Sequence, residues 1–297
     1  MTDAADSGSR GRPEPLIRDI SDTARWVAIY RARETERADP LFLDPYAKKL
    51  AGERGEQIAA AMPNISGTDW PFVMRTHLVD RYIAAEVDRG VGTVVNLAAG
   101  LDARPYRMAL PPSLTWIEVD LPDLLAYKTE ILAADRPRCV LERVPIDLSD
   151  TVLRRSLFER IASRARKTLV VSEGLLIYLD AEQVVGLARD LAAHPSFERW
   201  IVDLASPGLL QMLQKRMSDL VTRAGAPFKF APAEGPAFFE PHGWKPVDVQ
   251  SVFDAARAAG RLPLFLRLMS LLPQPKGPRR IWSGVCLLAR ARSGDPP

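Results

Sequence analysis

Thr93-Val94-Val95-Asn96-Leu97-Ala98-Ala99-Gly100-Leu101-Asp102 is the stretch on which the reading of the chain turns. Thr93 to Ala98 is a short, β-rich apolar run, entered from Gly90-Val91-Gly92 and left through a turn of small residues, Ala98-Ala99-Gly100. That is the pattern of a strand buried on both faces of a parallel sheet. Runs of the same kind follow at Leu114 to Val119, Cys139 to Val144, Thr168 to Ser172 and Trp200 to Leu204, separated by helical stretches at Leu124 to Ala134, Thr151 to Ala165 and Glu182 to Ala193. Alternation of this length predicts βαβ units and an α/β, doubly wound sheet.

Outside that region the period changes. Residues 19–90 are predicted to be a helical section, with Ser21 or Asp22 as N-cap, and Trp26, Ile29 and Tyr30 on one face at i, i+3, i+4. Asp39-Pro40, Asp44-Pro45 and Met62-Pro63 end its helices, because the residue before proline is pushed out of the α region. From Ser206 to about Pro241 the alternation stops, giving a helical piece, Leu209 to Thr222, and a loop rich in Pro, Ala and Phe, which predicts an insertion after the fifth strand. Val247 to Val249 and Ile281 to Leu288 are predicted as final strands, with a helix Ser251 to Ala259 and an apolar stretch Leu262 to Leu272 between them. The organisation expected is a polar tail (1–18), the helical section and a core over 91–297.

Composition narrows the function classes. The chain has 297 residues, 47% of them hydrophobic, and a formal net charge of +3, which excludes disorder and a strongly basic nucleic-acid footprint. Two cysteines, Cys139 and Cys286, are too few for a structural zinc site and read as buried thiols. No apolar run approaches the roughly 20 residues of a membrane span, and the polar N-terminus lacks a secretory h-region, so no membrane partner and a cytoplasmic location are expected.

In a doubly wound sheet, ligands bind at the carboxyl ends of the strands. The turn after the first strand has one glycine, Gly100, where a dinucleotide fingerprint needs G-x-G-x-x-G, so NAD is disfavoured. Trp116-Ile117-Glu118-Val119-Asp120 ends in a carboxylate able to accept from both hydroxyls of a ribose, or to cap the next helix. Asp147 offers a second carboxylate, with Leu148 beside it, and the same capping alternative. Glu173 lies between an apolar strand and an apolar turn, where an unpaired charge costs several kcal/mol, so it needs a partner such as a bound cation. No spacing among His77, His194 and His242 suggests a metal.

Taken in order, these segments resemble the S-adenosylmethionine-dependent methyltransferases related to leucine carboxyl methyltransferases, especially the bacterial small-molecule branch that includes polyketide O-methyltransferases. The carriers are Ser21-Asp22-Thr23-Ala24, Arg31-Ala32-Arg33-Glu34-Thr35, Asp44-Pro45-Tyr46-Ala47, Arg75-Thr76-His77, Val95 to Arg104, Glu118-Val119-Asp120-Leu121-Pro122, Asp147-Leu148 and Glu173 to Leu179. The likeness spans about Ser21 to Leu204 and reaches the last third only through Gly243-Trp244. It implies a class I methyltransferase, Rossmann-like sheet, S-adenosyl-L-methionine as cofactor, and O-methylation of a carboxylate or hydroxyl of a small molecule. It also implies roles: Arg75 on the methionyl carboxylate, Gly100 at the close approach, Asp120 on the ribose, Asp147 and Leu148 beside the adenine, and Glu173 near the methionyl amino group. Asn96, Asp102 and Leu121 complete the expected cofactor set. Ala98 stands where the family has glycine, which predicts φ < 0 and a wider turn there. Asp102 with Arg104 reads as a surface ion pair. Tyr178, His77 and His242 are the candidates for a general base, and Trp70, Phe72, Phe228, Phe230, Phe238 and Phe239 for an acceptor pocket or a core of the insertion. The alternatives are an NAD-dependent oxidoreductase and a non-catalytic S-adenosylmethionine-binding interaction protein.

Overall fold

Among the described residues seven strands form one sheet, β1 (Thr93–Leu97), β2 (Thr115–Asp120), β3 (Val140–Pro145), β4 (Thr168–Ser172), β5 (Phe197–Ala205), β6 (Trp244–Ser251) and β7 (Ser283–Arg290), in the order β3-β2-β1-β4-β5-β7-β6. The computed structural model describes residues 20–61, 69–223, 227–269 and 281–291. The expected tail, the Met62-Pro63 helix stop and the end of the Leu262 to Leu272 stretch lie outside the described residues. β1 to β5 run parallel, whereas β7 is antiparallel to both its neighbours, β5 and β6. Strand order reverses between β1 and β4, and their carboxyl ends therefore flank the crevice in which such sheets bind ligands.

The helices are α1 (Ile20–Thr35), α2 (Ala47–Ala61), α3 (Trp70–Asp88), α4 (Arg104–Arg107), α5 (Pro122–Ile131), α6 (Thr151–Ala162), α7 (Ala181–Ala192), α8 (Pro207–Arg223), α9 (Val252–Ala258) and α10 (Leu264–Met269). Every residue of β1 and β4 is buried because helices cover both faces. On one face Leu157, Phe158 and Ile161 of α6 and Val184, Leu187 and Leu191 of α7 pack on Val95, Val170 and Val202. On the other, Met74, Leu78 and Ile83 of α3 and Ala256 of α9 pack on Val94, Leu169 and Val171. Burying side chains of this size contributes roughly 1.5–3 kcal/mol each. α1 and α2 form a third cluster with α5, through Ala28, Ile29, Leu50, Ala51 and Leu124. No helix among the described residues is long and apolar enough to cross a membrane.

Caps set where the helices begin. Asp150 accepts from the amides of Val152 and Leu153, and Asp180 forms a reciprocal capping box with Gln183. Three capping expectations fail. Asp22 lies inside the first turn of α1, buried, and pairs with Arg54 of α2 at 3.0 Å. Asp120 caps nothing, since α5 begins after Leu121 without a side-chain cap, and Asp147 closes a local turn by accepting from Ser149 N at 2.8 Å. Between β5 and β6 come α8 and a 3-10 stretch, Gly235–His242, whose Phe239 is fully buried edge-on against Trp200. β6 is an edge strand and carries Pro246 next to a register shift, the setting in which a sheet tolerates proline.

Candidate active site

A cavity of about 1660 Å³ opens over the carboxyl ends of β1, β2, β4 and β5. Its floor is the turn after β1. Gly100 has φ +51° and Ala98 also has φ +51°, so the expectation of φ < 0 at Ala98 is wrong. The turn keeps the left-handed geometry glycine would adopt, and alanine carries the strain, about 1–2 kcal/mol. The geometry is held from β2: Asp120 Oδ2 accepts from Gly100 N at 2.6 Å, and Oδ1 from its neighbour Leu121 N at 2.7 Å. Asp120 is buried, and burial pushes its carboxyl above the ordinary value despite the two amides.

Glu173, just past β4, finds its partners within the protein. Arg75 Nε on α3 donates to it at 3.0 Å, Thr76 Oγ1 at 3.3 Å, and Arg104 lies 2.8 Å from its other oxygen. Burial opposes its charge, but Arg104 and Arg75 outweigh that and hold its carboxyl below the ordinary range. Arg75 also donates to Asp203 at the end of β5, 3.1 Å away, and Asp203 accepts from Gly174 N at 2.7 Å. Gly174, at φ +69°, lies under the Arg75 guanidinium, which would stand 3.4 Å from any Cβ placed there.

Arg104 is no surface residue. It is 2% exposed and bridges Asp80 at 2.6 Å, Asp102 at 2.7 Å and Glu173. Asp102 also accepts from Asn96 Nδ2 at 2.8 Å, and although burial works against its charge, Arg104, Lys128, Arg107 and Arg31 keep its carboxyl far below the ordinary range. Arg107 continues the chain of charges from Asp80 to Asp44, which in turn holds Arg31 at 2.9 Å. Arg31 then donates to the carbonyl of Leu101, in the floor turn. This network joins α1, α3, α4 and the tips of β1, β4 and β5, and contains one more carboxylate than guanidinium. Asp203 and Arg104 were not among the expected site residues. The signal for Asp203 was present, because Trp200-Ile201-Val202-Asp203 ends in a carboxylate just as β2 does.

The expected cofactor residues Arg75, Asn96, Gly100, Asp102, Asp120, Leu121, Asp147, Leu148 and Glu173 all line the cavity. So do Tyr178, Trp70, Phe72, Phe228 and Phe230, with Trp26, Tyr30 and Phe253 adding further aromatic wall. Tyr178 packs on Phe228 at 5.4 Å, and burial raises its phenol above the ordinary value. Phe238 and Phe239 belong to the core instead. None of the three histidines, all described, lines the cavity. His77 follows Arg75 by two positions on α3, so the two side chains leave the helix on different sides, and His77 meets the backbone of Leu41. His242 ends the 3-10 stretch with its ring edge-on to Phe238. Among the described residues no group of three His, Cys, Asp or Glu has metal-holding geometry.

A family model described as leucine carboxyl methyltransferase matches residues 24–192. The chain belongs to the leucine carboxyl methyltransferase family. It is therefore an S-adenosyl-L-methionine-dependent methyltransferase, and the nicotinamide alternative gives way. Relatives named as S-adenosyl-L-methionine-dependent methyltransferases include one from Mycolicibacterium paratuberculosis, 36% identical over 208 residues that cover 63% of this chain and 68% of that one. Another, from Frankia alni, is 32% identical over 258 residues, covering 80% of this chain and 88% of that one. Among solved structures, a DUF574 family protein of Streptomyces avermitilis superposes with TM-score 0.60 at 15% identity, covering 90% of this chain and 97% of that one. A protein described as a methyltransferase of Thermobifida fusca gives TM-score 0.59 at 14% identity, covering 93% and 96%. These two likenesses support the α/β methyltransferase fold. The residues present fit the cofactor of the family: carboxylates at the tips of β2, β4 and β5 can accept from hydroxyl and ammonium groups, and Gly100, at positive φ, lines the cavity without a Cβ.

Proposed function

We propose that this methyltransferase transfers its methyl group to an oxygen of a small molecule, a carboxylate or a hydroxyl, in the aromatic part of the cavity. The observation that carries the proposal is the make-up of that chamber: it is continuous with the carboxylate-bearing strand tips, lined by aromatic rings, and holds no histidine. A carboxylate acceptor, with an ordinary pKa near 4, is already ionised at neutral pH and needs no base. Tyr178, with its phenol raised, stays protonated at that pH and serves to position rather than to deprotonate.

When bound, S-adenosyl-L-methionine supplies an electrophilic sulfonium methyl group. Asp120 would hold its ribose hydroxyls, Asp147 and Leu148 would border the adenine, and the network around Glu173 and Asp203, with its excess carboxylate, would favour the ammonium and sulfonium charges. Arg75, of that same network, would take the methionyl carboxylate. The aromatic walls exclude water and hold the acceptor in line, and alignment in a dry site is the main source of rate in such a transfer. The test is incubation with cofactor and a panel of aromatic acids and phenols, with methylated product identified by mass. Methyl esters or ethers support the assignment. Methylation of nitrogen or carbon in their place refutes it.

A further inference from the structure

We infer that Arg216 selects acceptors that carry a second, anionic group remote from the oxygen to be methylated. The inference rests on the oxygen-methylation reading for what happens at the near end of the acceptor. It follows from how the lining charges are spent. Ligand pockets commonly measure roughly 300–1,000 Å³, so a cavity of about 1660 Å³ accommodates an acceptor as well as a cofactor. The arginines over the sheet, Arg31, Arg75, Arg104 and Arg154, are each ion-paired, and Arg75 is in addition the one proposed for the cofactor's carboxylate, so none is left for a distant anion of the acceptor. Arg155 has Asp190 at 2.8 Å, and Arg257 has Asp254 at 3.4 Å. Two lining charges have no ion-pair or hydrogen-bond partner among the described residues. One is Glu182, in the first turn of α7, where the positive end of the helix dipole favours an acid. The other is Arg216 of α8.

α8 is built to present it. Leu209, Met212, Leu213 and Arg216 all line the cavity and recur at the spacing of one helix face, while Gln214, on another side, donates to the carbonyl of Phe228 at 2.9 Å. Phe228 in turn packs on Tyr178. Three apolar side chains thus lead from the end of β5 to an exposed cation at the cavity's edge that has no partner among the described residues. At 1.5 Å per residue, Arg216 lies roughly 13 Å along α8 from Pro207. The ligand this suits is a long, mainly apolar or aromatic molecule, with an oxygen at one end and a carboxylate, sulfonate or phosphate at the other.

Two probes that differ only in charge test this without needing turnover: anilinonaphthalene sulfonate and its uncharged parent phenylnaphthylamine, each titrated by fluorescence with S-adenosyl-L-homocysteine present. Arg216→Ala is expected to weaken the sulfonate about fivefold and Arg216→Glu further, the phenylnaphthylamine affinity staying within about twofold, the scale of a partly exposed charge pair. Arg216→Lys restores part of the loss, and Arg257→Ala changes little. Unchanged sulfonate affinity in Arg216→Ala, equal losses for both probes, or a larger loss in Arg257→Ala overturns the assignment. Failure of methyl transfer to oxygen, with the sulfonate still dependent on Arg216, refutes the reaction reading and leaves this one standing. Transfer to oxygen that is indifferent to Arg216 for acidic and neutral acceptors alike does the reverse.

Discussion

Replacing Arg104 with methionine removes the centre of the charge network while keeping most of the volume. Its side chain is 3% exposed, and it leaves behind Asp80, Asp102 and Glu173, whose side chains are only 11–13% exposed. Breaking a buried pair from one side costs about 3–5 kcal/mol, a large part of the roughly 5–15 kcal/mol that holds a domain together. The cost also depends on pH, with a definite sign. Asp102 and Glu173 have depressed folded pKa values, so the stability they contribute is fully present above their unfolded values, about 4, and is lost as the pH falls through the folded ones. Without Arg104 the largest favourable part of that contribution is lost at neutral pH, Arg75 still holding Glu173 and Lys128, Arg107 and Arg31 still acting on Asp102, and the carboxylates left short of a partner are relieved once protonated. Urea unfolding followed by tryptophan fluorescence should therefore show a gap between wild type and variant that is widest near pH 7 and narrows towards about pH 3. Arg104→Lys, which keeps the charge but not the fork, should lie between them and remain folded if the methionine variant does not. A gap below about 1 kcal/mol, or one that does not change with pH, would falsify the account of Arg104 as the network's centre.

Ala98→Gly should raise stability by about 0.5–1 kcal/mol, because relief of the left-handed strain exceeds the added freedom of the unfolded chain. A thermal midpoint that falls contradicts this. Asp120→Ala removes an acceptor of charge-assisted hydrogen bonds and also frees Gly100, so affinity for S-adenosyl-L-homocysteine by calorimetry should drop about tenfold or more. Unchanged binding excludes the ribose role. With a carboxylate acceptor, Tyr178→Phe should keep kcat within a few-fold, and the rate should stay flat from about pH 6 to 9, since a phenol raised by burial remains protonated throughout. A rate that rises with pH and loses that rise in Tyr178→Phe makes the tyrosine a base.

The strands were legible because burial on both faces demands short apolar runs, and β1 and β4 are apolar enough to announce themselves. Carboxylates at strand tips were legible for the same reason: Asp120 and Glu173 interrupt apolar sequence where only a paired or functional charge survives. What stayed hidden is non-local. Nothing near residue 104 in the sequence says that Asp80 and Glu173 will close around it, so adjacent Asp102 and Arg104 looked like a solvent-facing pair. Likewise, no local pattern tells β7 to enter between β5 and β6. His77 misled because Arg75-Thr76-His77 is contiguous in sequence, while a helix sends alternate residues to different sides.

The place of β7 sets a constraint on assembly. It is the last of the described strands in chain order, yet both its long sides are occupied, so β6 cannot be seated until a later segment has threaded between it and β5. A nascent polypeptide leaving the ribosome thus carries two raw ladders, waiting for their shared filler. Destabilising changes in β7 should show up first as sticky, half-zippered chains during synthesis, before any loss in the finished enzyme.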